Sequence, residues 1–280
     1  MTILEEYRIR LQHLPPVNLT SARRRRWTAI GGGLFVVVAL TTTIALQRVQ
    51  DAGPPDFLAF DQPAERKDAF FDYFLPIIEQ ENRQLLALRQ ELELFQLRRE
   101  WLSLREQWYV EGIAASFRIE DFDARTPEGW DALFRRVDIV PPSLALAQAA
   151  NESAWGTSRF ALEANNYYGH WCFVPGCGLV PSARPAGARH EVAAFDSPGH
   201  SVQRYMHNIN QHEAYTGLRE ARSELRDNGE PISGDALVDG LERYSERGQD
   251  YIAELRAMIR IDDLTRFDLQ QHARLSNGAQ

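Results

Sequence analysis

The sequence predicts a mainly α-helical protein with a small β-hairpin lobe, a long N-terminal helix and one transmembrane helix. Three observations carry that expectation. Apolar residues recur at helical spacing through most of the chain after residue 64. Residues 27–46, WTAIGGGLFVVVALTTTIAL, contain no charge. Residues 167–196 break the helical pattern, being rich in Gly, Pro and aromatic residues, and Glu191 to Phe195 suits a short strand.

The uncharged run is about 20 residues, enough at 1.5 Å per residue to cross a hydrocarbon core of roughly 30 Å. Arg23, Arg24, Arg25 and Arg26 precede it, and only Arg48 follows before Arg66. The positive-inside rule therefore places residues 1–26 in the cytoplasm as a tail and everything beyond residue 46 outside it. A cleavable signal peptide and a buried core helix are the rival readings. The long leader and the lack of a small-x-small cleavage site favour an uncleaved anchor.

The chain has 280 residues, 44% hydrophobic and 25% charged, a balance that supports one main core rather than disorder. A net charge of -8 excludes a general nucleic-acid binder. Residues 47–63 have linker chemistry around Gly53, Pro54 and Pro55, and residues 64–120 read as a helical region. Within it residues 65–75 form one helix, and Pro76 opens a second that runs to about residue 115. Leu85, Leu88, Leu92, Phe95 and Leu102 make one apolar row of that long helix; Leu94, Leu97, Trp101, Leu104 and Trp108 make another. So wide a stripe packs against its own domain, with a coiled coil or another protein partner on the 76–115 helix as the alternative. Further helices are expected over residues 123–137, 197–210, 218–226, 234–244 and 249–259. Ser197 is the N-cap of its helix, and residues 270–280 form a flexible tail.

The most informative segment is Ala149-Ala150-Asn151-Glu152-Ser153-Ala154-Trp155-Gly156-Thr157-Ser158, followed by Asn165-Asn166-Tyr167-Tyr168-Gly169. Pro141-Pro142 opens a helix of strong helix formers, and Gly156 stops it. Glu152 then lies in the last turn, where the helix dipole and apolar surroundings both raise a carboxyl pKa toward values suited to a general acid. Cys172 and Cys177 flank a Pro-Gly turn and are expected to pair as a disulfide outside the cytoplasm. A zinc site from His170, Cys172, Cys177 and His190 is the alternative, although its spacing is not that of a recognised zinc module. His200, His207 and His212 form no ligand cluster, no phosphate loop is present, and neither metal nor cofactor is expected.

Glu-Ser-x-Trp-Gly-x-Ser followed by Asn-Asn-x-x-Gly closely resembles the glucosaminidase domain of glycoside hydrolase family 73. The run from Gly169 to Pro181, then His190-Glu191-Val192 and Phe195-Asp196-Ser197-Pro198, resembles the Bax-type membrane-anchored branch of that family. The resemblance spans roughly residues 64–262. It implies a lysozyme-like helical fold over residues 121–269, a bacterial inner-membrane protein facing the periplasm, and peptidoglycan glycan strands as substrate. It also implies Glu152 as general acid and Glu191, on the hairpin, as second catalytic group, with Asp196 and Glu163 as weaker candidates. Tyr244 matches a cleft tyrosine of the family. Asn165, Asn166, Tyr167, Tyr168 and Trp171 supply amides and aromatic faces for a sugar. The sequence departs from the family in Asn151 before the acid and in Ala154, where glycine is frequent. A muramidase, a lytic transglycosylase and a non-enzymatic wall-binding scaffold are the competing functions.

Overall fold

Helix α1, Pro63–Leu97, runs straight through Pro76, so the two helices expected there are one. Proline removes a helix hydrogen bond and crowds the preceding turn. Here aromatic packing on both sides holds the helix: Phe70, Phe71, Phe74, Ile77 and Ile78 are all buried, at about 1.5 to 3 kcal/mol each. The expected run to residue 115 is interrupted instead at Arg99–Trp101, a 3-10 turn, and helix α2, Leu104–Ser116, begins afresh. Ser103 and Glu106 cause the restart by forming a capping box, in which each side chain meets the other residue's backbone amide. Helix α2 folds back on α1 through the Phe95 and Tyr109 rings, 5.8 Å apart, and the Tyr109 hydroxyl, which donates to Glu91.

This hairpin corrects the expected stripe. Leu92 and Leu102 of the first row are buried, but Leu94, Leu97, Trp101, Leu104 and Trp108 of the second row are exposed, Trp101 by 82%.

The computed structural model describes residues 53–278 apart from Ala183 and Ala186. All of these belong to one unit, Arg48–Gln280. The expected membrane helix at 27–46 lies outside the described residues. Among the described residues no helix is long and apolar enough to cross a membrane. The longest, α1, has the length but carries Glu65, Arg66, Lys67, Asp68 and Asp72 in its first turns. The expected fold class is therefore corrected to a helical fold with a small antiparallel sheet and no supported transmembrane helix. The single-pass inner-membrane placement and the membrane contact through residues 27–46 are corrected with it.

After α3, Trp130–Arg136, comes α4, Pro142–Glu152, the hub of the fold. Its residues from Pro142 to Ala150 are all buried. A helix apolar on every side must be enclosed, and its alanines let neighbours come close. Helices α1, α8 (Gly234–Leu237), α9 (Gln249–Ile261) and α10 (Thr265–Gly278) all pack on it. Asp268 of α10 caps its start, accepting from the Ser143 amide at 2.9 Å, the Ser143 hydroxyl at 2.6 Å and the Gly234 amide at 3.0 Å. Asn82 of α1 grips the preceding segment, exchanging hydrogen bonds with the Val140 amide and carbonyl.

Helix α5, Arg159–Ala164, leads to the small lobe. The expected hairpin is a three-stranded antiparallel sheet of β1 (Trp171–Cys172), β2 (Gly178–Leu179) and β3 (Glu191–Ala193), in the order β1-β3-β2. The third strand arises because the disulfide loop returns the chain to β3 from the other side. Helix α6, Pro198–Gln211, is capped by Ser197, and α7, Thr216–Asp227, follows the 3-10 turn Glu213–Tyr215. The helix expected over 234–244 is α8 followed by a 3-10 turn, Val238–Leu241. The tail expected from residue 270 belongs to α10.

Candidate active site

Glu152 is the last residue of α4. Burial raises its pKa, opposed by the neighbouring Tyr251 hydroxyl and by the nearby charge of Arg247, with the charge of Glu254 adding to the rise. The helix that carries it is rigidly enclosed, whereas the chain beyond it turns sharply through Ala154, Trp155 and Gly156, three consecutive residues with φ of 49°, 58° and 75°. Ser153 braces this turn by donating to the Ala149 carbonyl at 2.6 Å and accepting from the Gly156 amide at 2.8 Å. Gly156 is needed twice over, since a Cβ there would also lie 2.3 Å from the Phe57 ring. Phe57 is buried, although it falls in the segment expected to be a linker. Trp155 pins the turn to α1, its ring edge-on to Phe71 at 5.5 Å and beneath the Lys67 ammonium at 4.7 Å. Ala154, where the family resemblance leads one to expect glycine, has a left-handed backbone, which explains that preference.

Gly169 faces Glu152. A Cβ at Gly169 would lie 3.2 Å from Glu152 Oε2, and φ there is +67°, so the glycine keeps one face of the acid clear. Around the same carboxylate stand four tyrosines. Tyr205, Tyr215, Tyr244 and Tyr251 all have raised pKa values, caused first by burial and in each case also by the negative charge of Glu152, with Tyr215 at about 12. Tyr244 stacks parallel to Tyr251 at 5.7 Å and donates its hydroxyl proton to the Tyr168 carbonyl at 2.8 Å. Beneath them Gln148, one turn before Glu152, accepts from the Tyr205 hydroxyl at 2.6 Å and donates to the Tyr251 oxygen at 3.0 Å.

The other expected site residues are used differently. Asn165 takes a left-handed conformation at the end of α5 and donates to the Phe195 carbonyl. Asn166 is buried and donates to the His170 and Ala193 carbonyls while accepting from the His170 amide. Both amides therefore hold the lobe to the helical body. Tyr167 packs in the core against Phe74 at 4.6 Å, and Tyr168 is buried, stacked on Tyr205 at 4.0 Å. Trp171 is exposed and stacks on His190 at 4.4 Å.

Glu191 is buried in β3. Its carboxylate accepts from the Gly176 amide, 3.1 Å from each oxygen, and from the Gly178 amide at 3.0 Å. Gly176 lies inside the loop closed by the Cys172–Cys177 disulfide and Gly178 directly follows it as the first residue of β2; the disulfide leaves no thiolates for the alternative zinc set. Because Glu191 pairs with Cys172 and Val192 pairs with Trp171, the pleat sends Glu191 and Trp171 to opposite faces of the sheet. Asp196 is exposed beside His200 at 3.6 Å, and Glu163 pairs with Arg159, so both are committed to surface contacts.

With this geometry in view, residues 130–262 match the family described as "Glucosaminidase: Mannosyl-glycoprotein endo-beta-N-acetylglucosaminidase". The chain is also 32% identical over 204 residues to "Protein bax" of Escherichia coli (strain K12), an alignment covering 73% of this chain and 72% of that protein. The chain belongs to the glucosaminidase family. No solved structure matches it. The matched region begins at α3 and ends with α9, so it contains Glu152, Gly169, the sheet and the tyrosines, but not the hairpin of α1 and α2.

Four residues around Glu152 were not among those expected from the sequence: Gln148, Tyr205, Tyr215 and Tyr251. Gln148 carried a usable signal, being the only polar residue between Ser143 and Asn151 in an otherwise apolar helix. A polar side chain in such a setting has to find partners. The three tyrosines gave none, since a tyrosine among helical apolar residues reads as ordinary core.

Proposed function

We propose that this chain hydrolyses β-1,4 glycosidic bonds in the glycan strands of bacterial peptidoglycan, as an endo-β-N-acetylglucosaminidase with Glu152 as general acid. The observation that carries the reading is the state of Glu152: a carboxyl with raised pKa at the end of a rigid helix, one face kept clear by Gly169. Protonating the leaving oxygen requires a group that still holds its proton near neutral pH, which burial favours. The proton passes from Glu152 to the glycosidic oxygen as the bond to the anomeric carbon breaks, and positive charge grows on the sugar ring.

Tyr244 assists from beside the acid. Its proton is committed to the Tyr168 carbonyl, so its oxygen is left to accept from a substrate N–H, such as that of an acetamido group, or from water. Glu191 pairs with Cys172 across the sheet, and its carboxylate is engaged by the Gly176 and Gly178 amides. Its role in this reading is to fasten the lobe that walls the substrate, and the attacking group is water or the substrate's own acetamido oxygen. Trp171 offers the exposed aromatic face of that lobe to a sugar ring.

The test is mass spectrometry of muropeptides from purified wall treated with the full chain. New reducing ends at N-acetylglucosamine support the proposal; ends at N-acetylmuramic acid identify a muramidase, and anhydro ends a lytic transglycosylase. Intact wall, with a folded protein that still binds it, supports a scaffold, a reading favoured by the exposed apolar tip formed by Leu97, Trp101, Leu104 and Trp108.

A further inference from the structure

We propose that Gln148 is a positioning residue that fixes the direction of a hydrogen-bond chain ending on Glu152. The inference rests on the assignment of Glu152 as the acid. Gln148 is fully buried in α4, four residues before Glu152 and so on the same helix face. Its amide is bipolar: the oxygen can only accept and the nitrogen can only donate. The Tyr205 hydroxyl donates to Gln148 Oε1 at 2.6 Å, and Gln148 Nε2 donates to the Tyr251 oxygen at 3.0 Å. Each tyrosine has one proton. Tyr205 has spent its own on Gln148, and Tyr251, already accepting from Gln148, has its proton left for Glu152, the neighbouring carboxyl whose pKa its hydroxyl lowers.

Donors thus run one way, from Tyr205 through Gln148 and Tyr251 to the carboxylate. Two consequences follow for an acid that must give up a proton and regain it. The ionised carboxylate receives a hydrogen bond that partly offsets its burial, so the proton it has lost is not held too tightly to leave. The protonated form finds the Tyr251 oxygen already occupied by the Gln148 amide, so its own proton faces away from Tyr251 and toward the open side by Gly169. A side chain at position 148 that only accepts would reverse the chain, drawing both tyrosine protons toward itself and away from Glu152.

The test follows Glu152 directly, by carbon-13 NMR titration of its carboxyl in the full chain, beside the pH profile of kcat/KM on wall glycan. In Gln148→Leu the Tyr251 hydroxyl is free to rotate, and in Tyr251→Phe it is absent. Each variant should raise the titration midpoint by about one pH unit, a tenfold change in proton affinity, and move the alkaline limb upward with it. In Gln148→Glu the shift should be larger, because a reversed chain is joined by a second buried carboxyl. The double variant Gln148→Leu/Tyr251→Phe should move no further than Tyr251→Phe alone, since the two residues act in series. Tyr205→Phe, which keeps the ring stacked on Tyr168 and removes only the first donor, serves if the position 148 variants fail to fold, and should give a smaller upward shift. A folded Gln148→Leu or Tyr205→Phe protein whose Glu152 titrates as in the wild type overturns the proposal. So does a double variant whose shift is the sum of the single ones. The NMR midpoint reads the chain whether or not glycan is cut, so a failed glycosidase assignment would show as unchanged activity in Glu152→Gln and leave the titration result standing.

Discussion

Replacing Glu191 by glutamine separates a residue that acts on the sugar from one that holds the wall of the cleft. The wild-type carboxylate accepts from the Gly176 amide at 3.1 Å from each oxygen and from the Gly178 amide at 3.0 Å. Glutamine keeps one acceptor oxygen but turns a donor NH2 toward an amide that also donates. A charge-assisted hydrogen bond contributes about 1.5 to 3 kcal/mol, and leaving a buried amide unpaired adds about 1 kcal/mol, so closure of the disulfide loop should weaken by roughly 2 to 4 kcal/mol. With about 1.4 kcal/mol for each factor of ten, amide exchange at Gly176 and Gly178 should quicken by roughly 30- to 700-fold. Exchange within α4 should stay slow, because the lobe opens locally. In kinetics on wall glycan, a loosened lobe raises KM and leaves kcat within a fewfold, whereas loss of a transition-state contact lowers kcat with KM unchanged. Wild-type exchange rates at the two glycines together with a hundredfold fall in kcat would refute the fastening role and return Glu191 to the chemistry.

Glu152→Gln should cut wall hydrolysis by at least about a hundredfold while the protein stays folded, measured by release of soluble muropeptides. The same variant should be more stable than the wild type at pH 8 and no more stable at pH 4. A carboxyl whose folded pKa is raised binds its proton more tightly in the folded state, so its ionisation costs stability as pH rises from the ordinary carboxyl value toward the raised one. Asp268 follows the same sign: burial lifts it from 3.8 to about 6, so roughly 3 kcal/mol of stability should be lost between pH 4 and pH 6, and thermal melting of Asp268→Asn should lack that slope. Gly169→Ala should lower kcat/KM at least about tenfold and cost about 1 to 2 kcal/mol, since the new methyl meets both a positive φ and the Glu152 oxygen. Ala154→Gly should stabilise by about 0.5 to 1 kcal/mol in denaturant titration: relief of a left-handed alanine, about 1 to 2 kcal/mol, outweighs the extra chain entropy of glycine.

The parts of this fold that could be read from sequence are those set by neighbours in the chain. The proline start of α4, its end before Gly156 and the Ser197 cap are local signals, and the structure carries all three. Cys172 and Cys177 are joined across a short turn, as their spacing indicated. The break between α1 and α2 was equally local. The run Ser103-Leu104-Arg105-Glu106 is a capping box in plain sight, but it was masked by apolar residues whose spacing continues through it. Pro76 misled in the opposite direction, because the strength of a helix interruption depends on how much aromatic surface lies on either side. The Asn165-Asn166-Tyr167-Tyr168-Gly169 segment shows where a motif stops being informative. It marks the right turn, but which side chains face outward depends on the left-handed Asn165 and on partners some 27 to 30 residues away. The chain of Gln148, Tyr205 and Tyr251 could not be read at all, because it exists only where α4, α6 and α9 meet.

The two ends of α4 show how one helix carries two carboxyls whose pKa values burial raises. At the start, Asp268 sits where the helix dipole favours an anion, receives three hydrogen bonds, and still has its pKa raised because burial outweighs them. At the finish, Glu152 sits where the dipole disfavours an anion and only the Tyr251 hydroxyl and the charge of Arg247 act against burial. Both carboxyls therefore weaken the fold as pH rises, and neither could be tolerated on a helix that carried its own stability alone. Helix α4 does not, since α1, α8, α9 and α10 pack around it and bury it from Pro142 to Ala150. The energy that holds Glu152 in an unfavourable setting comes from apolar packing along the length of the helix. That packing leaves the carboxylate itself to be tuned by few contacts: a glycine that keeps one face clear and a tyrosine whose proton is aimed by a glutamine. A single methyl at Gly169 or a single oxygen at Tyr251 should therefore change the chemistry far more than the fold.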